Sequence, residues 1–159
     1  MVSSTYKDIS LTDIPVEDDK AAVRILSGCY QGIWGPLNGS HAGVTYLDIT
    51  LPADTSWSYK EARNNETIFV YLLDGSLFPD PEQRSVEGKG SAILYSVSSP
   101  EERKHEPVVV KAGAEGARFL LLSASPLREP VARGGPIVMN THEEQQESFE
   151  ELRNGTFIK

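Results

Sequence analysis

The side chains of this 159-residue chain that could do chemistry are three histidines, one cysteine and scattered carboxylates. His41 sits in a glycine-rich stretch, His105 in a charged run and His142 at the start of a helical pattern. A metal site using all three needs unrelated segments to converge, so each is better read as a surface or hydrogen-bonding residue. Cys29, between Gly28 and Tyr30, has no basic sequence neighbour to activate it and reads as a structural thiol. Serines are plentiful, yet G-x-S-x-G does not occur. Gly28, Gly32 and Gly35 lack the spacing and the following helix of a dinucleotide fingerprint. The pairs Glu101-Glu102 and Glu143-Glu144 are sequence neighbours that point in different directions, which suits solvation or capping better than acid–base work. Tyr30, Trp34, Trp57 and Tyr59 gather around two loops and are candidates for a flat surface that binds a small planar ligand or a partner. The competing expectation is that the two tryptophans close the ends of a barrel.

Charge and composition narrow the class. Fifteen basic against 23 acidic residues give a net charge of −8, a field that repels nucleic acid and anionic lipid. The densest basic cluster, Arg103-Lys104-His105, is flanked by Glu101, Glu102 and Glu106. One cysteine permits no internal disulfide, which makes an intracellular, cytoplasmic setting the default expectation. No run of eighteen apolar residues offers a membrane span, and the first residues lack a signal-peptide pattern.

The elements that must position these residues read mostly as strands. Residues 1–20 form an arm with an extended candidate at Tyr6 to Ile9. Val23 to Ser27 is a short β-rich run, followed by a long glycine-rich loop from Gly28 to Gly43 with Asn38-Gly39 as a tight turn. From Val44 to Leu51 the residues alternate, with Thr45, Leu47, Ile49 and Leu51 on one face. Ile68 to Leu73 is apolar on both faces, and Asp74-Gly75 predicts a hairpin turn at its end. Ser91 to Val97, Pro107 to Lys111 and Ala117 to Ser123 are three further predicted strands. Thr141 and Glu144 form a capping box that starts one helix, acidic residues occupy its first turn, and Gly155 ends it. Short strands with one terminal helix predict an antiparallel β-barrel at residues 21–140 and a helix and tail at 141–159, the helix lying outside the barrel.

Near the end of the chain, Pro126-Leu127-x-Glu129-Pro130-Val131 precedes Gly135-Pro136-x-Val138-Met139-Asn140-Thr141-x-Glu143-Glu144. This resembles the closing signature of the pirin family, whose members carry two cupin domains in tandem. Val23 to Gly28 with Gly32 and Gly35-Pro36, then Val44 to Ile49, then Val70 to Gly75, resemble in order the strands of the second domain. The resemblance implies an all-β fold, a single cupin or double-stranded β-helix (jelly-roll) barrel with one short C-terminal α-helix. It also implies that residues 1–20 are the remnant of an inter-domain linker.

A metal-binding cupin needs two histidines one residue apart, a glutamate seven positions before the hairpin glycine, and a later histidine. Counting back from Gly75, the glutamate place falls on Ile68, and the histidine places fall within Glu61 to Asn64. A glycine, a proline six positions on and a histidine beyond it are missing too, since Gly88 and Gly90 lead to Leu94 and Ser96. The resemblance implies Fe(II) in the N-terminal domain of full-length relatives and no cofactor in this part. The expectation is therefore a metal-free scaffold or interaction module with no catalytic residues. A homodimer or an N-terminal cupin would be its partner, through an inter-domain face that includes Tyr30, Trp34, Trp57, Tyr59 and Phe157. Full pirins resemble quercetin 2,3-dioxygenases, and some act as transcriptional co-regulators, so membership in such an enzyme is the alternative. An improvised site at the barrel mouth, using His41 or Glu66, is the third reading.

Overall fold

The computed structural model describes every residue except 1–5, 39–41, 62–65, 81, 83, 84, 96–106, 158 and 159. A 3₁₀ turn at Leu11–Asp13 leads into strand β1 (Val16–Asp18), and the residues from Tyr6 to Ile9 are not a strand. Then follow β2 (Ala22–Ser27), β3 (Cys29–Tyr30), β4 (Ile33–Trp34), β5 (Thr45–Leu51), β6 (Ser56–Tyr59) and β7 (Thr67–Phe78). After them come β8 (Glu87–Gly88), β9 (Ala92–Tyr95), β10 (Val108–Ala124), β11 (Ala132–Gly134), β12 (Ile137–Met139) and helix α1 (His142–Asn154). The chain divides into two compact units, residues 1–126 and 127–159.

In the first unit, eight strands form one antiparallel sheet in the order β1-β2-β5-β10-β7-β8, with β6 also on β10 and β9 also on β7. β7 and β10 are its axis, and both are longer than their sequence predicts. Asp74-Gly75 does not turn the chain: β7 runs through it for 12 residues. The predicted runs at Pro107 to Lys111 and Ala117 to Ser123 are halves of one 17-residue strand.

The interruption is a pair of facing bulges. In β10 the buried positions are Val108, Val110 and Ala112, then Ala117, Phe119 and Leu121; in β7 they are Ile68, Val70 and Leu72, then Leu77. Each strand changes from even to odd across the bulge, and the register between them shifts there. β7 carries one extra residue, Leu73, and β10 carries residues 113–116 where β7 has Ser76 alone. An odd number of insertions turns each strand's side chains to the other face, and together they keep both rows inward. Gly75 and Gly116 have φ of 75° and 80° at this place. A Cβ on Gly75 would collide with the Gly116 carbonyl, so glycine is needed for close approach as well as for its dihedral.

The core is hydrocarbon from β2, β5, β7 and β10, with an aromatic group at one side. Trp57 lies 6.1 Å from the Tyr30 ring, 6.3 Å from Tyr59 and 5.9 Å edge-on from Phe119. Its indole N–H donates to the Tyr30 hydroxyl at 3.1 Å, which satisfies the polar tip of a buried ring. Asp48 is also buried in β5, and Arg118 on the neighbouring strand pairs with it through two bonds of 3.0 and 2.7 Å. That bidentate pairing holds the guanidinium further above its ordinary pKa, chiefly by hydrogen bonding and then by charge.

The second unit is a hairpin of β11 and β12 with α1 against it. The capping box forms as expected: Glu144 N–H donates to Thr141 Oγ1 at 3.2 Å, and Glu144 Oε2 accepts from Thr141 N at 3.1 Å. The same carboxylate accepts from Asn140 N at 3.2 Å, while Asn140 Nδ2 donates to Glu129 Oε2 and the Pro130 carbonyl, both at 3.0 Å. Gly155, with φ of 71°, closes the helix. The Pro-Leu-Arg-Glu-Pro segment and the Met-Asn-Thr-x-Glu-Glu run are thus tied to each other through Glu129, Asn140 and Glu144.

Candidate functional site

One end of the first unit's interior is polar, and the strand pattern explains how. Ile68, Val70 and Leu72 point inward from β7, and Glu66 occupies the next inward position beyond the strand's start. On β10 the inward row of Phe119 and Leu121 continues to Ser123, whose backbone is in register with Ile68. Glu66 and Ser123 therefore meet: the hydroxyl donates to Glu66 Oε2 at 2.7 Å, and the glutamate is only 7% exposed. Tyr59, at the end of β6, adds a phenol that hydrogen-bonds with Thr45 and Ser123. Burial pushes the Tyr59 phenol above its ordinary pKa, those bonds oppose the shift, and the charges of Glu66 and Glu61 add to it.

A cavity of about 220 Å³ opens beside this group. Its wall includes Cys29 and Trp34, which face each other across the β3–β4 hairpin, with Tyr59, Glu61 and Glu66. The hairpin is fixed by Gly28 N–H donating to the Leu37 carbonyl at 2.8 Å and Gly35 N–H donating to the Gly28 carbonyl at 2.9 Å. A second cavity, about 310 Å³, lies between the β1–β2 segment and β6, with Glu17, Lys20 and Lys60 around Tyr30 and Trp57. Its wall carries both signs of charge and gives no clear selection for a ligand.

The residues singled out from the sequence separate here. Glu66 lines the smaller cavity as a buried carboxylate. His41 and His105 lie outside the described residues, and His142 is exposed at the start of α1. Of the proposed aromatic surface, Trp34 is 60% exposed and continues into exposed Ile33 and Leu37. Tyr30, Trp57 and Tyr59 are core residues instead, because β6 turns both of its aromatic rings inward and Trp57 carries Tyr30 with it. Phe157, in the second unit, is half-buried. Ser123 and Thr45 were not legible as site residues from type alone; the signal that finds Ser123 is its place on an inward row of β10.

A family model described as the pirin C-terminal cupin domain matches residues 46–158, well over half of the chain. The chain belongs to this family. It is 29% identical to human pirin over 157 residues, covering 97% of this chain and 51% of that protein. A putative quercetin 2,3-dioxygenase of Thermoplasma acidophilum is 25% identical, with 100% of this chain and 60% of that protein covered. The crystal structure of a quercetin 2,3-dioxygenase from Acinetobacter baumannii superposes with a TM-score of 0.78 at 25% identity, covering 96% of this chain and 50% of the other. The chain spans about half the length of the curated pirins it matches. The fold is thus that of a cupin, although the sheet is not closed.

The names of these relatives imply a metal, and the described residues of this pirin-type domain do not fit one. No group of three or more histidine, cysteine, aspartate or glutamate side chains comes together among them. Ile68, at the position the cupin pattern gives to a ligating glutamate, is 1% exposed in hydrocarbon. Glu66 lies on the same face two residues earlier, bonded to a serine.

Proposed function

We propose that this pirin C-terminal cupin is a metal-free structural or interaction module that does not catalyse by itself. The observation that carries the reading is the pair of inward rows on β7 and β10. They bury Ile68, at the place the cupin pattern gives to a ligating glutamate, in hydrocarbon with Val70, Leu72, Phe119 and Leu121. Partners consistent with it are a metal-bearing N-terminal cupin or a second copy, with Trp34, Ile33 and Leu37 as exposed apolar contacts in the first unit. The share of the relatives that this chain covers, and the dioxygenase names among them, favour a second reading. In that reading the module belongs to an iron-dependent pirin-type dioxygenase, or a transcriptional co-regulator, whose iron lies in a separate N-terminal cupin.

The test is metal analysis of the purified chain, followed by quercetin turnover with added Fe(II). The expected outcome is no retained iron and no turnover above that of Fe(II) alone. One tightly held iron per chain, with turnover, overturns the module reading. Light scattering over a wide concentration range tests the contact surface; a strict monomer in the absence of an N-terminal cupin removes the second copy as a partner.

A further inference from the structure

We infer that the cavity between the β1–β2 segment and β6 binds a small uncharged molecule through a carbonyl oxygen, which accepts a hydrogen bond from the Tyr30 hydroxyl. This goes beyond the module reading and does not depend on it. The charges of this wall select no ligand, since Lys20 and Lys60 stand beside Glu17 and Asp19. The selection comes from one buried proton. Tyr30 is only 3% exposed, and its oxygen accepts from Trp57 Nε1 and from Gln31 Nε2, both at 3.1 Å. A phenol accepts at its lone pairs and donates once. Both accepting directions are thus filled, and among the described residues no oxygen or nitrogen takes the Tyr30 proton. Tyr30, Gln31 and Trp57 all line the cavity, so the direction left open at the oxygen is the one that faces it. A buried donor without an acceptor costs about 1–3 kcal/mol, which a ligand carbonyl in that direction recovers.

The charge state of the ligand follows from the surroundings of that oxygen. Burial raises the Tyr30 pKa most, the bonds from Trp57 and Gln31 oppose the shift, and the charges of Glu61 and Glu17 add to it. The proton therefore stays on the phenol across neutral pH, and the same two carboxylates repel an anionic acceptor. A neutral carbonyl meets no such penalty. The apolar body of the ligand follows from the rest of the wall. Ala21, Val23 and Trp57 belong to the buried core and give the cavity a hydrocarbon and indole side. That side suits a flat ring. At about 310 Å³ the cavity stands at the lower end of the roughly 300–1,000 Å³ usual for small-molecule sites, which fits a one-ring amide or ketone. Water is the rival acceptor: it takes the proton but leaves the apolar side uncovered.

The test follows the two indole N–H resonances of the full chain by NMR near neutral pH, assigned with Trp34→Phe, during titration with benzamide, benzoate and toluene. The Trp57 N–H donates to the same oxygen, so its resonance should shift saturably with benzamide while that of exposed Trp34 barely moves. Benzoate and toluene should each bind about tenfold more weakly. Tyr30→Phe should weaken benzamide about tenfold, and Gln31→Ala should leave it within about threefold. Because Tyr30→Phe also strips the Trp57 N–H of its acceptor, Ser58→Leu is the second variant. It enlarges a half-buried side chain on the cavity wall and should abolish binding, with thermal melts reporting whether each variant is folded. The proposal is overturned if benzamide gives no saturable shift, which leaves water as the only acceptor. It is equally overturned if toluene or benzoate binds as well as benzamide, or if folded Tyr30→Phe or Ser58→Leu binds as the parent does. Binding that appears only in Gln31→Ala also overturns it, because the Gln31 carbonyl would then hold the proton in the parent.

Discussion

The same two strands build two unlike places. Over most of their length β7 and β10 turn hydrocarbon inward, from Leu72 and Phe119 through Val70 and Leu121. Further along the same rows, beyond Ile68 on β7 and Leu121 on β10, stand Glu66 and Ser123, hydrogen-bonded to each other beside an open cavity. Burial on the first stretch stabilises the sheet in proportion to apolar area. On the second, a carboxylate is withdrawn from water beside a serine that donates to it, an arrangement that packed hydrocarbon would equal or exceed in stability. What distinguishes the two stretches is therefore purpose: one holds the sheet, and the other keeps a polar pocket that stability alone does not require.

The largest expected effect tests the hydrocarbon side. Phe119→Ala removes a fully buried ring that also meets the edge of Trp57, and should cost about 3–5 kcal/mol in denaturant unfolding. A cost below about 1 kcal/mol would mean that this interior is loosely packed. Gly75→Ala tests the device that keeps both rows in phase. Its positive φ and the collision with Gly116 predict a loss of about 2–4 kcal/mol in the same experiment.

The polar side is sharpened by a pair of variants. Ser123→Ala alone leaves the buried glutamate short of a donor and should cost about 1–2 kcal/mol. Replacing both residues, as in Glu66→Met with Ser123→Ala, should return stability to within about 1 kcal/mol of the parent while removing the buried carboxylate from the cavity. If the double variant is as unstable as the single one, the polar pair holds the fold and the contrast drawn above fails.

The smallest effect is at alkaline pH. The folded state holds the Tyr59 proton more tightly than the unfolded chain does, so its contribution is complete below pH about 10 and is lost as pH rises through the higher folded value. Tyr59→Phe should make the alkaline fall in stability shallower by that one group. Tyr95, which burial pushes up to about 12 and whose hydroxyl donates to the Pro79 carbonyl at 2.9 Å, keeps part of the fall in place.

Local signals were legible where one residue type has one use. Thr141, Glu144 and Gly155 marked both ends of α1, and alternation marked β5. Asp74-Gly75 misled because a glycine with positive φ serves a turn and a bulge equally, and only the facing Gly116 decides between them. The same bulge breaks the period of β10, which made one strand look like two. β6 is four residues with two serines, too short for a periodic signal, and the β3–β4 hairpin is hidden in glycine-rich sequence. At the site, Glu66 was visible as a candidate, but its partners were not. Tyr59, Thr45 and Ser123 are brought to it by registers between distant strands, and type alone does not reveal register.

The length of β10 bears on how the protein assembles. β5, β6 and β7 all pair with this one late segment, and the Asp48–Arg118 contact spans 70 positions of chain. During synthesis those three earlier strands must wait for residues 108–124 to leave the ribosome before they gain their common neighbour. Closing such long loops is slow, so the nascent first unit passes through an interval with unpaired β edges, when a chaperone has most to offer it.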